Sequence, residues 1–318
     1  MIELLLSLLL AVHLLCVNVA SGGPIVGAWL DLRGSRGDET AAIGARYLAG
    51  WSLVTLLAGA GLGILIGWLK WDADYRGLWL GPLSYKMHMA GVEALVSLVL
   101  MVGWWLWLRL TPVSRERGGV GEGEKRSGLA APLVRGFIAL FAATNLLYHF
   151  PVLFSVAAHL QDAGQTTGQR IDAAAFRQLM VRGETPALAV HVVLASIAVS
   201  GTMLLGFALR RQRHGDFAGA SKAAMWGGRW ALVATLANLP VGLWTLVKLG
   251  PATQTRLMGG ETLGTLLFLA SLVSVFWLLR ELVGVAMGES SRPALLRSMG
   301  AMLVTVVLMT AMQQAARS

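Results

Sequence analysis

Residues 191–211 read HVVLASIAVSGTMLLGFALRR, a stretch in which a long apolar run separates one histidine from two arginines. A hydrocarbon core about 30 Å thick requires roughly 20 apolar residues of α-helix. The stretch therefore predicts a membrane-spanning helix that carries an imidazole at the start of its span. The rest of the chain has the same character, because 56% of its 318 residues are hydrophobic and only 14% are charged. The sequence thus predicts an all-α integral membrane protein.

About eight stretches of the chain are long and apolar enough for such a helix. We place these predicted spans, numbered 1 to 8, near residues 4–30, 48–69, 84–108, 134–159, 187–209, 228–249, 260–280 and 295–314. Span 1 is too long for the core of a signal peptide and has no basic region before it, so we expect it to remain as a helix. We find no soluble domain, so residues 1–318 are predicted to form a single polytopic bundle.

Two connecting segments have a distinctive composition. The segment 110–133 contains RERGGVGEGEKRSG, a mixture of charges and glycines that predicts a flexible inner linker rather than a nucleic-acid-binding patch. The segment 160–184 contains IDAAAFRQLMVRG, whose amphipathic pattern indicates a short helix along the membrane interface. Cys16 is the only cysteine of the chain, so no disulfide can form within it.

The distribution of lysine and arginine predicts the orientation of the bundle, because basic loops are retained in the cytoplasm. Of the 26 such residues, 17 fall in the segments 31–46, 109–135, 210–229 and 280–297. These segments are therefore predicted to lie inside and both termini outside, in a cytoplasmic membrane of the bacterial type. This topology also accounts for the net charge of +9 without a nucleic-acid partner.

Ionisable side chains inside a membrane are costly to bury, so their depth indicates where a function lies. The predicted orientation places candidate ligands from five spans in the outer half of the bilayer. They are His13 in span 1, His88 and Glu93 in span 3, Asn145 and His149 in span 4, His191 in span 5, and Arg256 and Met258 just before span 7. His159 is predicted to be an interface residue, and His214 a solvated residue of an inner loop.

Two interpretations of these groups remain open at this point. Each intramembrane histidine could form a hydrogen bond to a neighbouring helix and have no other role, although such bonds contribute only about 0.6 kcal/mol on average. Alternatively, several imidazoles at similar depth together with a thioether would suit haem iron. Zinc is less favoured, because no span carries the paired spacing of a zinc-binding helix.

Several motifs resemble subunit I of the cytochrome bd quinol oxidase family, in the same order along the chain. HLLCVNVASG at 13–22 is similar to its first-helix histidine motif, and GVEALVSLVLMVGW at 91–104 is similar to its third helix with a membrane glutamate. TNLLYHFPV at 144–152 resembles its N-x-x-M-Q-x-P-V segment, with a histidine in place of the glutamine. HVVLASIAVSG at 191–201 and RLMGG at 256–260 resemble the motifs that supply the histidine and methionine ligands of a low-spin b haem.

The resemblance extends to about residue 275 and implies roles for the candidate residues. His191 and Met258 would hold a six-coordinate b haem, with Arg256 near a propionate or the haem edge. His13 would be the proximal ligand of a second haem. Glu93 would lie near that haem as a proton-relay or electrostatic group. The resemblance thus implies one or two b haems, with quinone as a further candidate cofactor.

The chain also departs from this family in three places. VKLGPATQTR at 247–256 is a short turn where the family has a long quinol-binding loop, the late E-V-G-R-Q-P-W motif is missing, and Tyr85 stands where a second glutamate is expected. His88 and His149 are additional imidazoles, and either could complete a six-coordinate haem with His13. Because a closed haem iron has no site for oxygen, these departures favour electron transfer over oxygen reduction.

The sequence therefore predicts a membrane-bound b-type cytochrome with its haems near the outer leaflet. It would pass electrons between quinol or a membrane partner and an extracytoplasmic acceptor such as a cytochrome c, together with other subunits of a respiratory complex. An electron-transfer subunit is favoured over a stand-alone quinol oxidase, so its status as an enzyme stays open. The alternatives are a divergent oxygen-reducing oxidase subunit, a haem-free ion or proton transporter, and a haem-free scaffold subunit.

Overall fold

The computed structural model of the protein describes residues 2–112 and 129–317. The α-helices are α1 Ile2–Gly34, α2 Glu39–Leu69, α3 Ala73–Leu80, α4 Ser84–Leu110, α5 Ala130–Asp162, α6 Ala173–Met180, α7 Thr185–Arg213, α8 Phe217–Lys248, α9 Pro251–Thr255, α10 Thr262–Ala286 and α11 Arg292–Arg317. A π-helical turn, Arg256–Gly260, joins α9 to α10, and we call it the π-turn. Most of the linker predicted over 110–133 lies outside the described residues, since these omit 113–128.

Within the described ranges, eight helices are long and apolar enough to cross a membrane. They are α1, α2, α4, α5, α7, α8, α10 and α11, and they correspond in order to spans 1 to 8. The prediction of an all-α bundle with about eight helices long and apolar enough to span a membrane is therefore confirmed. Several helices extend beyond the predicted apolar stretches. The reason is that hydropathy marks only the segment inside the hydrocarbon, whereas a helix continues into the headgroup region.

Aspartates are the N-cap residues of four helices. They are Asp38, Asp72, Asp172 and Asp216, at the N-termini of α2, α3, α6 and α8. Each carboxylate accepts a hydrogen bond from the backbone N–H three residues later, which satisfies a donor that the first turn leaves unpaired. The short helix expected within 160–184 is confirmed as α6. Helix α3 has the same length as α6 but was not expected, because its sequence ADYRGLWL lacks the amphipathic pattern of α6.

Ion pairs between helix ends define one end of the bundle. Asp31 near the end of α1 pairs with Arg135 near the start of α5, with 2.8 Å between Oδ2 and Nε. Lys222 near the start of α8 pairs with Asp38 in the α1–α2 turn, with 2.8 Å between Nζ and Oδ2. We call this end the basic end, since the described parts of the segments richest in lysine and arginine meet there. The short helices α3 and α6 lie at the opposite end.

Helix α7 lies at the centre of the packing. Of its apolar spanning window, 56% is buried, against 11–44% for the other seven spanning helices. It packs most extensively against α8 and α1. Small residues permit this close approach, because a methyl group at Gly201 would lie 2.6 Å from the backbone nitrogen of Ala231 in α8. The helix that carries His191 is therefore the most enclosed of the bundle.

Candidate functional site

His13 lies half-buried in the first half of α1, against a glycine-lined face of α2. Its Nδ1 atom lies 2.9 Å from the backbone oxygen of Gly59. A Cβ atom added at Gly63 would lie 3.0 Å from Cε1 of the imidazole ring, so the ring fits closely on this face. Because a carbonyl oxygen can only accept, the contact selects the Nδ1–H tautomer and leaves the lone pair on Nε2. Metal-binding histidines are held in this way when they coordinate through Nε2.

Three of the predicted residues come together between α4 and α5. The Nε2 atom of His149 lies 3.8 Å from Oε1 of Glu93. The side-chain amide of Asn145 donates to the backbone oxygen of Glu93 and to the hydroxyl of Ser97, each at 2.8 Å. Asn145 and Ser97 are buried, whereas the side chains of Glu93 and His149 are 22% and 40% exposed. The cluster is therefore anchored by two side chains buried between the helices, while its carboxylate and its imidazole stay partly exposed.

His191 lies in the second turn of α7, beside α8. Its backbone oxygen accepts a hydrogen bond of 3.3 Å from the side-chain amide of Asn238 in α8. Its Nδ1 atom and the Oδ1 atom of Asn238 are both buried without a hydrogen-bond partner among the described residues. Buried polar atoms without partners are costly, and the cost is greater where no water is at hand. The contact between α7 and α8 therefore leaves hydrogen-bonding capacity of both side chains unused.

Met258 and Arg256 lie in the π-turn before α10. The backbone of Met258 is non-helical, with φ −107° and ψ 31°, and Gly259 has φ +115°, a left-handed conformation that favours glycine. Met258 is 67% exposed. Arg256 donates a hydrogen bond of 3.4 Å from Nη1 to the backbone oxygen of Ala316 in α11. The thioether is thus accessible to a ligand, which argues against a gap-filling role in the core.

His191 and Met258, the predicted ligand pair, do not lie in the same interface between helices. Helix α7 packs mainly against α8, α1 and α5, whereas the π-turn packs against α9 and α10. Joint ligation of one haem by His191 and Met258 therefore stays a prediction. His88, the remaining candidate, lies exposed near the start of α4.

The described part of the chain contains no group of three or more His, Cys, Asp or Glu side chains placed to hold a metal ion. This observation concerns sites built from protein side chains alone. It does not bear on haem, whose iron takes only one or two axial ligands from the protein.

Sequence reasoning did not single out three residues that contact the candidates. Ser97 follows Glu93 by four positions and so shares its helix face, which the helical period could have indicated. Asn238 is a strongly polar residue in the apolar part of α8, and that placement was a usable signal. Gly59 carried no such signal, because it acts through its backbone oxygen.

The chain matches no protein-family model and has no significant match among curated proteins. The resemblance to cytochrome bd subunit I therefore rests on the motifs quoted above. Fold and site together define an eight-span helical bundle of membrane-protein type, with polar side chains buried between its helices.

Proposed function

We propose that the protein is a membrane-bound b-type cytochrome that resembles subunit I of cytochrome bd oxidases and transfers electrons in a respiratory chain. The observation that best supports this proposal is the hydrogen bond from His13 to Gly59, which orients an intramembrane imidazole with Nε2 available to iron. The intramembrane position of His191 in α7 and the accessible thioether of Met258 support a second ligand position. These residues fit one or two b haems.

Each residue would have a defined task in this proposal. His13 would hold one haem through Nε2, and the Gly59 oxygen would keep its ring in place. His191 and Met258 would hold the other, with Arg256 near a propionate. Bound haem would supply one-electron transfer at its iron. A histidine–methionine ligand pair would stabilise the reduced state of that iron and so raise its potential.

The Glu93–His149 pair would hold and exchange a proton near the haem of His13. Both side chains can carry the proton, and both are partly exposed at a separation of 3.8 Å. This pairing bears on the sixth ligand of that haem. His149 would have to leave Glu93 to complete the iron coordination, so the exposed His88 is the less constrained alternative.

The distribution of lysine and arginine supports an orientation with the basic end inside and both termini outside, in a cytoplasmic membrane of the bacterial type. Met258 and His88 would then lie toward the outer surface. That placement supports electron exit to an extracytoplasmic acceptor such as a cytochrome c. Quinol or another subunit of a respiratory complex would be the donor.

A reduced-minus-oxidised spectrum with a pyridine haemochrome assay, on protein expressed with ample haem, tests the proposal. We expect a b-type signal that falls by roughly half in His13→Gln and in His191→Gln if two haems are bound. His214→Gln, at the C-terminal end of α7, is the matched control and should keep the full signal. A folded wild-type chain with no Soret band would refute the proposal. A reduced spectrum that shifts with carbon monoxide would instead support an open haem and oxygen reduction.

A haem-free proton-conducting protein is the second candidate, and the cluster between α4 and α5 specifically favours it. Glu93 and His149 form a partly exposed acid–base pair, and Asn145 and Ser97 are buried polar side chains next to it. Intramembrane groups of this kind occur in proton pathways. The same spectrum separates the two candidates, since a folded chain without haem would make this one the better supported.

A further inference from the structure

A cavity of about 310 Å³ opens between α1 and α8 at the basic end of the bundle. Its lining consists of Trp29, Arg33, Trp226, Arg229, Trp230 and Val233. None of these residues belongs to the candidate site described above. We call this feature the tryptophan cavity.

The aromatic wall of the tryptophan cavity is preformed. The ring of Trp29 meets those of Trp226 and Trp230 edge-on, with centroids 5.6 and 5.7 Å apart. The guanidinium carbon of Arg33 lies 5.2 Å from the centroid of Trp29 and 5.0 Å from that of Trp226. A guanidinium held over aromatic faces needs little further ordering when it binds an anion.

The tryptophan cavity carries an excess of positive charge. Arg229 lines it and is anchored by a hydrogen bond of 3.2 Å from Nε to the backbone oxygen of Ala286. No carboxylate within the described ranges pairs with Arg229. Asp38 pairs with both Lys222, at 2.8 Å, and Arg33, at 3.6 Å, so one carboxylate faces two further cations. A ligand that completes this charge balance is an anion.

The tryptophan cavity also lies at the depth where both of its helices change from charged to apolar. Residues 4–30 of α1 and 231–247 of α8 contain no Asp, Glu, Lys or Arg, and Arg33 and Arg229 lie just beyond these stretches. Tryptophan and arginine at such a boundary are typical of the membrane interface. Val233, one turn further into the apolar stretch, is 64% exposed. A phospholipid presents its phosphate and its acyl chains in this same order.

We infer that the tryptophan cavity binds the head group of an anionic phospholipid. The phosphate lies against Arg33 and Arg229, the head group rests on the indole rings, and an acyl chain follows Val233. A zwitterionic lipid would bring its own cation toward these arginines, and a neutral quinone would leave their charge uncompensated. The assignment does not depend on haem, because none of the lining residues is a proposed iron ligand.

Native mass spectrometry of the full-length chain, delipidated in detergent, tests this assignment. The protein is titrated with phosphatidylglycerol, with phosphatidylcholine of the same acyl chains, and with inorganic phosphate. We expect the wild type to retain phosphatidylglycerol preferentially and Arg229→Gln to bind it about tenfold more weakly. Arg280→Gln is the matched control. Its side chain is 81% exposed and lies outside the cavity near the same end of the bundle, so it should bind like the wild type.

Arg33→Gln is the second variant and removes the other guanidinium of the tryptophan cavity, with helical circular dichroism as the check of folding. Equal retention of the two lipids by the wild type would overturn the assignment without any variant. Unchanged binding in both folded variants would overturn it as well. Displacement of the lipid by an equal concentration of inorganic phosphate would assign the cavity to a free anion instead.

Discussion

Three examples show how far polar side chains within this bundle are paired. Asp31 and Arg135 neutralise each other, with side chains only 7% and 6% exposed, and the carboxylate accepts two hydrogen bonds from the guanidinium. His13 is satisfied on one side of its ring by the Gly59 oxygen. His191 keeps an unpartnered, buried Nδ1 among the described residues. The last two leave bonding capacity unused, at Nε2 of His13 and at Nδ1 of His191, and the ligand role in the proposal rests on Nε2 of His13.

The close fit of His13 against α2 leads to a prediction at the residue scale. A methyl group at Gly63 would lie 3.0 Å from Cε1 of His13, so Gly63→Ala should push the ring away and lengthen its hydrogen bond to Gly59. A weaker hydrogen bond makes the imidazole a poorer donor to oxidised iron. We therefore expect the midpoint potential of the haem that we propose for His13 to rise by tens of millivolts, where about 59 mV corresponds to a tenfold change for one electron.

A potentiometric titration of the haem signal measures this shift. Gly61→Ala is the matched control, because an added Cβ there meets open space in the described part of the chain. Equal potentials in the two variants and the wild type would argue that His13 is not an iron ligand.

At the scale of elements, the contact between α7 and α8 is the packing on which the bundle most depends. Gly201 and Gly227 face each other across it, and a Cβ on either one would lie 2.6 Å from backbone atoms of the other helix. Gly201→Ala should therefore force the helices apart and lower the melting temperature, since backbone cannot yield as a flexible side chain can. We expect a loss of about 1–3 kcal/mol.

Gly242→Ala in α8 is the control, and we expect it to raise the stability rather than to lower it. An alanine Cβ at this position meets open space among the described residues, so the variant should gain the helix propensity of alanine, about 0.5–1 kcal/mol. Thermal unfolding of both variants in the same detergent, followed by circular dichroism, compares them. A Gly201→Ala protein at least as stable as Gly242→Ala would show that the two helices are not in such close contact.

The helices also show how much of the fold could be predicted from the sequence alone. The eight spanning helices were predictable, because burial in lipid demands long apolar stretches. The start of α2 was not, since Glu39 is polar and the helix begins there only because Asp38 caps it. Within the site, the shared depth of the candidate ligands stays a prediction from topology. The contacts of His13 with Gly59 and of His191 with Asn238 did not, because they depend on which helices become neighbours.

At the scale of the whole molecule, the two ends of the bundle differ in charge and in their polar groups. The basic end contains the Asp31–Arg135 pair and the tryptophan cavity, whereas His88 and Met258 lie toward the opposite end. An electron-transfer protein needs its redox groups near the surface where its partner docks. Under the proposed function, the orientation of the chain in the membrane would decide on which side a partner docks.

Cysteine accessibility in intact cells tests this orientation. In a Cys16→Ser background, a membrane-impermeant maleimide should label Gln169→Cys, an exposed position between α5 and α6. It should label Ser291→Cys, an exposed position between α10 and α11 at the basic end, only after the membrane is permeabilised. The reverse pattern would place Met258 and His88 on the cytoplasmic side. An extracytoplasmic acceptor would then be out of reach, whereas haem binding itself would be unaffected, so this result would separate the electron-exit proposal from the haem proposal.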